Sequence, residues 1–371
     1  MKVDIFNTGK KYDIIYADPP WMYRDTLGGK AMSEKRTKED LRELQALPLD
    51  LKILKTKNRI KEFYDFFGGQ VYVSFSGGKD STVLLHIARE LYPDIEAVFV
   101  DTGLEYPEVR QHVKSFDNVI FLRPKMRFDE VIKTYGYPVI SKDVSQTVYY
   151  ARTKNSQWAL RKLNGLNART GEPSPYMERY KKYKALTEVD FNCSNFCCLI
   201  MKEAPLREIS ESKKPIVGIM ASESVRRLDA WIKTGCNAFD SKQPLSKPMS
   251  FWTNQDVLQF LKSRNIPIAS VYGDIVYKGD DGMLYENSIC GGNLCTTGCD
   301  RTGCMFCAFG AHLEDESRFV RLKQTHPKHY KYCMDGGEYV NGIWRPNSKG
   351  LGMAHVLDTL NRLYGKDFIK Y

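Results

Sequence analysis

The chain has 371 residues, 42% of them hydrophobic and 27% charged, with a net charge of +10. It is long enough to bury the core of one large domain with appendages, or of two domains, and no segment is apolar over the length a bilayer requires. Residues 1–13 interleave charged and apolar side chains with no signal-peptide apolar run, so a cytoplasmic setting with reduced thiols and no membrane partner is expected.

Residues 1–50 form a first segment, in which Tyr12-Asp-Ile-Ile-Tyr-Ala17 reads as a buried strand running into Asp18-Pro19-Pro20-Trp21. Leu51, Ile53, Leu54, Ile60, Phe63, Phe66 and Phe67 then share one face of a helix that Gly68-Gly69 stops. From there the pattern predicts a strand over 70–75, a helix over 81–91, a strand over 96–100, a helix over 107–116 and a strand over 119–122. Short apolar runs alternating with amphipathic helices define an α/β fold with a doubly wound parallel sheet, spanning residues 51–265. A further strand is expected over 215–220 and a helix over 254–263. A stretch over 142–192 interrupts this rhythm as an insertion; between Lys142 and Lys184 it carries ten Lys and Arg against Asp143, Glu172 and Glu178. Residues 266–371 form a Cys-rich C-terminal region, in which 290–307 is expected to be loop.

Ser76-Gly77-Gly78-Lys79-Asp80-Ser81 falls where a strand ends and a helix begins, so backbone N–H groups and the helix dipole converge on one point. The two glycines admit phosphate oxygens, Lys79 adds a point charge and the serine hydroxyls donate. A Walker A loop is excluded by Val73 and Asp80, and no Gly-x-Gly-x-x-Gly fingerprint occurs. The next strand ends in Asp101-Thr102-Gly103, placing a carboxylate and a hydroxyl at the edge where open α/β sheets bind ligands.

Eight of the ten cysteines cluster: Cys193, Cys197 and Cys198, then Cys290, Cys295, Cys299, Cys304 and Cys307. Reduced, clustered thiols point to metal; an iron–sulfur cluster and a zinc ion are both compatible with the spacing.

The phosphate loop, Asp101-Thr-Gly-Leu-Glu-Tyr-Pro107, Cys197-Cys198 with Lys202 and Pro205-Leu206, 218–227, Trp252-Thr-Asn-Gln-Asp-Val257 and Gly303-Cys-Met-Phe-Cys307 occur in one order. Together they resemble the PP-loop family of phosphoadenylyl-sulfate and adenylyl-sulfate reductases, over about residues 68–310. The resemblance implies an adenine nucleotide, ATP or an adenylyl sulfate, held by Ser76, Gly77, Gly78, Lys79 and Ser81 and flanked by Asp101, Thr102 and Gly103. Arg226 or Arg227 would clamp its anionic end, and Lys79, Asp80 and Asp101 would serve the chemistry. It also implies a 4Fe-4S cluster on Cys197, Cys198, Cys304 and Cys307. Cys299 competes with Cys197 as a ligand, and zinc on Cys295, Cys299, Cys304 and Cys307 is the rival.

The family's reductive nucleophile, a Cys in a Glu-Cys-Gly-Leu-His tail, has no counterpart near Gly350-Leu-Gly-Met-Ala-His355, which leaves Cys333 as a stand-in. A second PP-loop branch cleaves ATP and installs sulfur in nucleic acid. The basic insertion, with Tyr149, Tyr150, Trp158, Tyr176, Tyr180 and Tyr183 among its cations, fits such a partner over 142–184. In that chemistry Mg²⁺ would bridge the phosphates, with Asp80 or Asp101 in support. The third reading is a nucleic-acid-binding regulator without turnover. An electron- or sulfur-donor protein and a homo-oligomeric state complete the expected partners. Residues 12–23 resemble the catalytic motif of N6-adenine methyltransferases, but too little chain precedes the next domain for a cofactor sheet, so a fused fragment is expected.

Overall fold

The computed structural model describes residues 36–287 and 292–371. The Asp18-Pro19-Pro20-Trp21 motif, the strand expected over 12–17 and Cys290 lie outside the described residues. In chain order the elements are α1 (Lys38–Gln45), α2 (Leu49–Phe66), β1 (Val71–Ser74), α3 (Lys79–Leu91), β2 (Ala97–Val100), α4 (Pro107–Lys114), β3 (Val119–Leu122), α5 (Phe128–Tyr135) and β4 (Val139–Ile140). Next come α6 (Lys142–Lys154), α7 (Gln157–Leu163), α8 (Pro175–Glu178), α9 (Phe196–Cys198), α10 (Ala204–Ser212), β5 (Lys214–Val217), α11 (Val225–Thr234), β6 (Asn237–Ala238), β7 (Leu245–Ser246) and α12 (Asn254–Ser263). The C-terminal part holds β8 (Ile275–Lys278), β9 (Leu284–Tyr285), β10 (Asn293–Thr296), β11 (Ala308–Phe309), α13 (Arg318–Thr325), α14 (Pro327–Met334), β12 (Glu338–Val340), β13 (Ile343–Arg345) and α15 (Met353–Tyr364).

Six strands form the main sheet in the order β3-β2-β1-β5-β7-β6. Every neighbouring pair is parallel except β6 with β7. The sheet thus winds outward in both directions from β1, as expected, with an antiparallel edge that two-residue strands are too short to announce by periodicity. Because β1 lies between β2 and β5, the winding reverses there and the ligand crevice opens above the carboxyl ends of β1 and β5.

Three local expectations are corrected. The helix after the phosphate loop begins at Lys79, not 81: Gly78 is its N-cap, and the Thr82 hydroxyl donates to the Gly78 carbonyl at 3.0 Å. Strand β5 ends at Val217, because a Cβ on Gly218 would meet the Asp80 carbonyl oxygen at 3.0 Å; the chain turns there to pass the start of α3. Within the Cys-rich segment, 293–296 is a strand antiparallel to β8, fixed by the Gln255 amide, which donates to Leu294 O at 2.9 Å and accepts from Leu294 N at 2.8 Å.

Two buried cores stabilise the molecule. Val73, Val83, Leu84, Ile87, Phe99, Ile216 and Trp252 fill the space around the main sheet. Val131, Tyr137, Val148, Leu163, Phe191, Phe319, Cys333 and Leu357 fill the second, which draws on both the insertion and the C-terminal helices. The Trp252-Thr-Asn-Gln-Asp-Val257 motif serves the first core. Thr253 and Asp256 form a capping box on α12, and Asp256 also accepts from the buried Lys52 ammonium at 2.6 Å. Trp252 donates to Thr56 Oγ1 at 2.8 Å. Among the described residues no helix is long and apolar enough to cross a membrane.

Candidate nucleotide and cysteine sites

The phosphate loop is held by its own serines. Ser76 Oγ lies 3.1 Å from Ser81 Oγ, and the Ser81 hydroxyl donates to the Gly78 carbonyl at 3.0 Å. Gly77 adopts φ +72°, a left-handed conformation that favours glycine, with Val109 and Val113 of α4 pressed against it. Behind the loop, Thr82 Oγ1 meets the buried His112 Nε2 at 3.2 Å. Burial pushes the His112 pKa down to about 4, with His86 adding to the effect.

A second segment covers this loop. Tyr272 and Thr302 are bonded hydroxyl to hydroxyl at 2.5 Å, and both lie within 4 Å of where a Gly78 Cβ would stand. The Lys79 ammonium sits 5.2 Å from the centre of the Tyr272 ring. Burial lowers the Lys79 pKa, against the opposing pull of Asp80 and Asp300. Burial likewise raises Asp80, with Lys79, Arg301 and Arg227 pulling it back. Arg301 and Arg227 both pair with Glu223, so the turn after β5 and the cap are joined by charge.

The two arginines of 218–227 therefore separate. Arg227 belongs to the loop, whereas Arg226 is largely exposed and reaches Asp143 of α6 at 3.3 Å. Asp101 is buried and accepts from Arg110 at 2.6 Å. The Thr102 hydroxyl donates to Glu105 at 2.7 Å, and Gly103 turns the chain at φ +74°. Sequence reasoning missed Tyr272, Thr302, Arg301 and Glu223, which no local pattern marks; Gly218, a glycine directly after a strand, was the one available signal.

The cysteines converge through a short scaffold, 136–140. On one side Tyr137 N donates to Asn192 O at 2.7 Å and Ser194 N donates to Tyr137 O at 3.0 Å, which hangs the segment leading to Cys197 and Cys198. On the other side β11 pairs in parallel with β4 directly after Cys307. Ile140 holds φ +60°, strained for a β-branched residue, where these segments meet. The helix after Cys198 widens into one π turn over Leu199–Glu203, a feature common at functional sites.

Cys197, Cys198, Cys304 and Cys307 interact with one another electrostatically. The Cys197 thiol donates to the Cys198 sulfur, which raises the one and lowers the other, and Lys142 and Lys202 add to the lowering of Cys198. Lys202 is raised chiefly by Cys304, to which it also donates. Burial raises Cys307, whose carbonyl accepts from Arg318 at 3.0 Å. These four thiols, with Lys142 and Lys202 beside them, are the candidate ligands for a cluster of net negative charge.

The other sulfurs lie elsewhere. Cys299 is buried among Lys79, Tyr106, Tyr272 and Arg321, which donates to it. Cys295 sits on β10 opposite Val276. Cys333 is fully buried, and burial raises its pKa. Among the described residues no group of three or more His, Cys, Asp and Glu is arranged to hold a metal ion. Several insertion rings are engaged internally: Tyr150 packs on Trp158, Tyr183 on Tyr364, and the buried Tyr180 donates to Asp143 at 2.6 Å.

A glycine-rich strand-to-helix loop at the switch point of a mostly parallel six-stranded sheet defines a doubly wound α/β protein. Residues 70–172 and 119–309 match the phosphoadenosine phosphosulfate reductase domain, and the chain belongs to that family. An uncharacterized protein of Methanocaldococcus jannaschii is 24% identical over 309 residues, which cover 78% of this chain and 56% of that protein. The chain thus spans little more than half the length of that relative. The adenosine 5'-phosphosulfate reductase of Bacillus cereus is 23% identical over 222 residues, 58% of this chain and 72% of that enzyme. The crystal structure of phosphoadenylyl-sulfate reductase from Candida auris, a phosphate complex, aligns over 63% of this chain and 90% of its own, with a TM-score of 0.33 and 13% identity. That likeness is too slight to bear on the fold, which the strand order sets.

Proposed function

We propose that the chain is an enzyme of sulfur chemistry that binds an adenine nucleotide at loop 76–81 and a 4Fe-4S cluster on Cys197, Cys198, Cys304 and Cys307. The observation that carries this reading is the continuity of the segment over 299–307. Its first half covers the phosphate loop and its second half supplies two of the four converging thiols.

In this reading the backbone N–H groups at the start of α3 hold the phosphates and Gly78 keeps a Cβ out of the space beneath the cap, while Gly77 and Gly218 let the loop pack on α4 and on the 218 turn. Lys79 neutralises the anion, and the Tyr272–Thr302 cap excludes water, which strengthens each electrostatic contact beneath it. When bound, the cluster would supply one-electron redox capacity. Asp80 or Asp101 would support Mg²⁺ where the nucleotide is ATP. Cys333, sealed in the second core, is not a candidate nucleophile.

Anaerobic protein offered adenylyl sulfate with a dithiol, and separately ATP, tests the proposal. Sulfite release or pyrophosphate formation, abolished in either case by Lys79→Ala, supports it. An absence of both, with no nucleotide raising the melting temperature, refutes it. ATP-driven sulfur transfer to nucleic acid is the second reading, favoured by one contact: Asp143 in the basic insertion pairs with Arg226, next to the loop arginine Arg227. Pyrophosphate formation stimulated by nucleic acid selects it over reduction.

A further inference from the structure

Two clefts open beside Asp101, on the β2 and β3 side of the sheet rather than at the β1 and β5 crevice. One, of about 550 Å³, is lined by Asp101, Arg110, Arg123, Arg127, Phe306 and Tyr332 among others. The second, of about 410 Å³, is lined by Asp101, Arg110, Gln111, Lys114, Met305 and His329 among others. Asp101, Gly103 and Arg110 line both, so the clefts adjoin as a trough divided by the Asp101–Arg110 ion pair.

The lining carries four cations against three carboxylates, and its Phe and Tyr rings lie in the first cleft. Lys114, Arg110, Arg123 and Arg127 face Asp101, Glu105 and Asp129, which leaves an excess of positive charge. Arg123 and Arg127 are about three-quarters exposed, at 75% and 76%; Arg123 stands 3.8 Å from Asp101, while Arg127 donates to Asp129 at 3.1 Å and is also bonded to Tyr332. Tyr332 is exposed at the rim, its ring 6.0 Å from that of Phe306 in the floor. Arg110 Nε is buried without a hydrogen-bond partner, although a terminal nitrogen of the same group is bonded to Asp101.

We propose that this trough binds a short single-stranded nucleic-acid segment, with phosphates on Arg110, Arg123 and Arg127 and a base against Tyr332. Guanidinium forks suit phosphate oxygens, exposed rings suit unpaired bases, and a trough longer than one cleft suits a strand rather than a lone anion. The basic insertion, whose rings largely pack within the protein, is the less suitable platform. The trough shares Asp101, Thr102 and Gly103 with the candidate nucleotide site but none of loop 76–81, so Lys79→Ala separates the two.

The test is fluorescence anisotropy of a labelled oligothymidylate, an oligouridylate and a duplex across a salt series. The Arg123→Ala/Arg127→Ala double variant should bind both single strands about tenfold or more weakly, with the salt slope reduced by about one to two. Tyr332→Ala should weaken binding about fivefold or more without changing that slope. Lys79→Ala should lose the nucleotide-induced rise in melting temperature yet keep strand binding. The double variant should keep the nucleotide-induced rise, which shows that it is folded. Preference for one sugar identifies the strand as DNA or RNA. Wild-type protein without salt-dependent strand binding overturns the proposal. So does equal binding by the double variant, or a loss confined to Lys181→Ala/Lys184→Ala in the insertion.

Discussion

Replacing Gly77 by alanine tests whether the phosphate loop is set by its fit against α4. The new Cβ would stand 2.6 Å from Val113 Cγ2 and 2.8 Å from Val109 Cγ1, while the backbone is held at φ +72°. A left-handed conformation costs a non-glycine residue about 1–2 kcal/mol, and overpacking adds about 1–3 kcal/mol. Restriction of the unfolded chain returns about 0.4–1 kcal/mol, so a net loss of roughly 2–4 kcal/mol is expected. Gly103 provides the control: its φ is +74°, but nothing lies within 4 Å of an added Cβ. Gly103→Ala should therefore lose only the conformational part, about 1 kcal/mol or less. Scanning fluorimetry with and without ATP is the assay. Gly77→Ala should melt well below Gly103→Ala and lose most of its nucleotide-induced rise, because Val109 and Val113 displace the loop. Equal melting of the two variants would refute the packing argument.

Asp256→Ala should destabilise the chain by about 3–5 kcal/mol in urea unfolding, since it strands the Lys52 ammonium in the core as well as removing a cap. A double variant with Lys52→Met should recover much of that loss. Cys304→Ser and Cys307→Ser should lose iron and acid-labile sulfide measured per chain, whereas Cys299→Ser, set apart beside Arg321, should retain both; stoichiometric zinc in colourless protein would sink the cluster. His112 has a folded pKa of about 4, below its ordinary value near 6.5. The unfolded chain therefore binds more protons between those values, so stability is present at neutral pH and falls as the pH drops from about 6.5 towards 4, by on the order of 3 kcal/mol. His112→Gln should flatten that part of the stability profile.

The backbone of the main domain was legible where period and punctuation agreed. Apolar runs at 70–75 and 96–100, with a glycine pair between strand and helix, place β1, α3 and β2 to within a few residues. Two-residue strands such as β4 and β11 carry no period, yet they dock the cysteine segments, so that part of the site was invisible. The assignment of Arg226 and Arg227 also needed three dimensions. Both are cations on one helix, and only the partners, Asp143 for one and Glu223 for the other, distinguish them. Cys299 likewise needed three dimensions, since spacing in sequence alone sets it beside Cys304. In the fold Arg321 of α13 donates to it, and its charge acts on Lys79.

Thr302 and Cys304 are two residues apart, so the chain joining them reaches at most about 7 Å. One end of that tether rests on the phosphate loop and the other on the thiol group, with Met305 N bonded to Leu104 O at 2.8 Å just beyond. Slack is therefore absent where it would be cheapest to introduce. A single glycine inserted after Thr302 would leave every side chain of both sites in place in the sequence while breaking their spacing. Engineering of this protein should accordingly keep the length of the segment over 299–307 fixed and direct insertions to the β8–β9 turn, where Gly282 has open space around it.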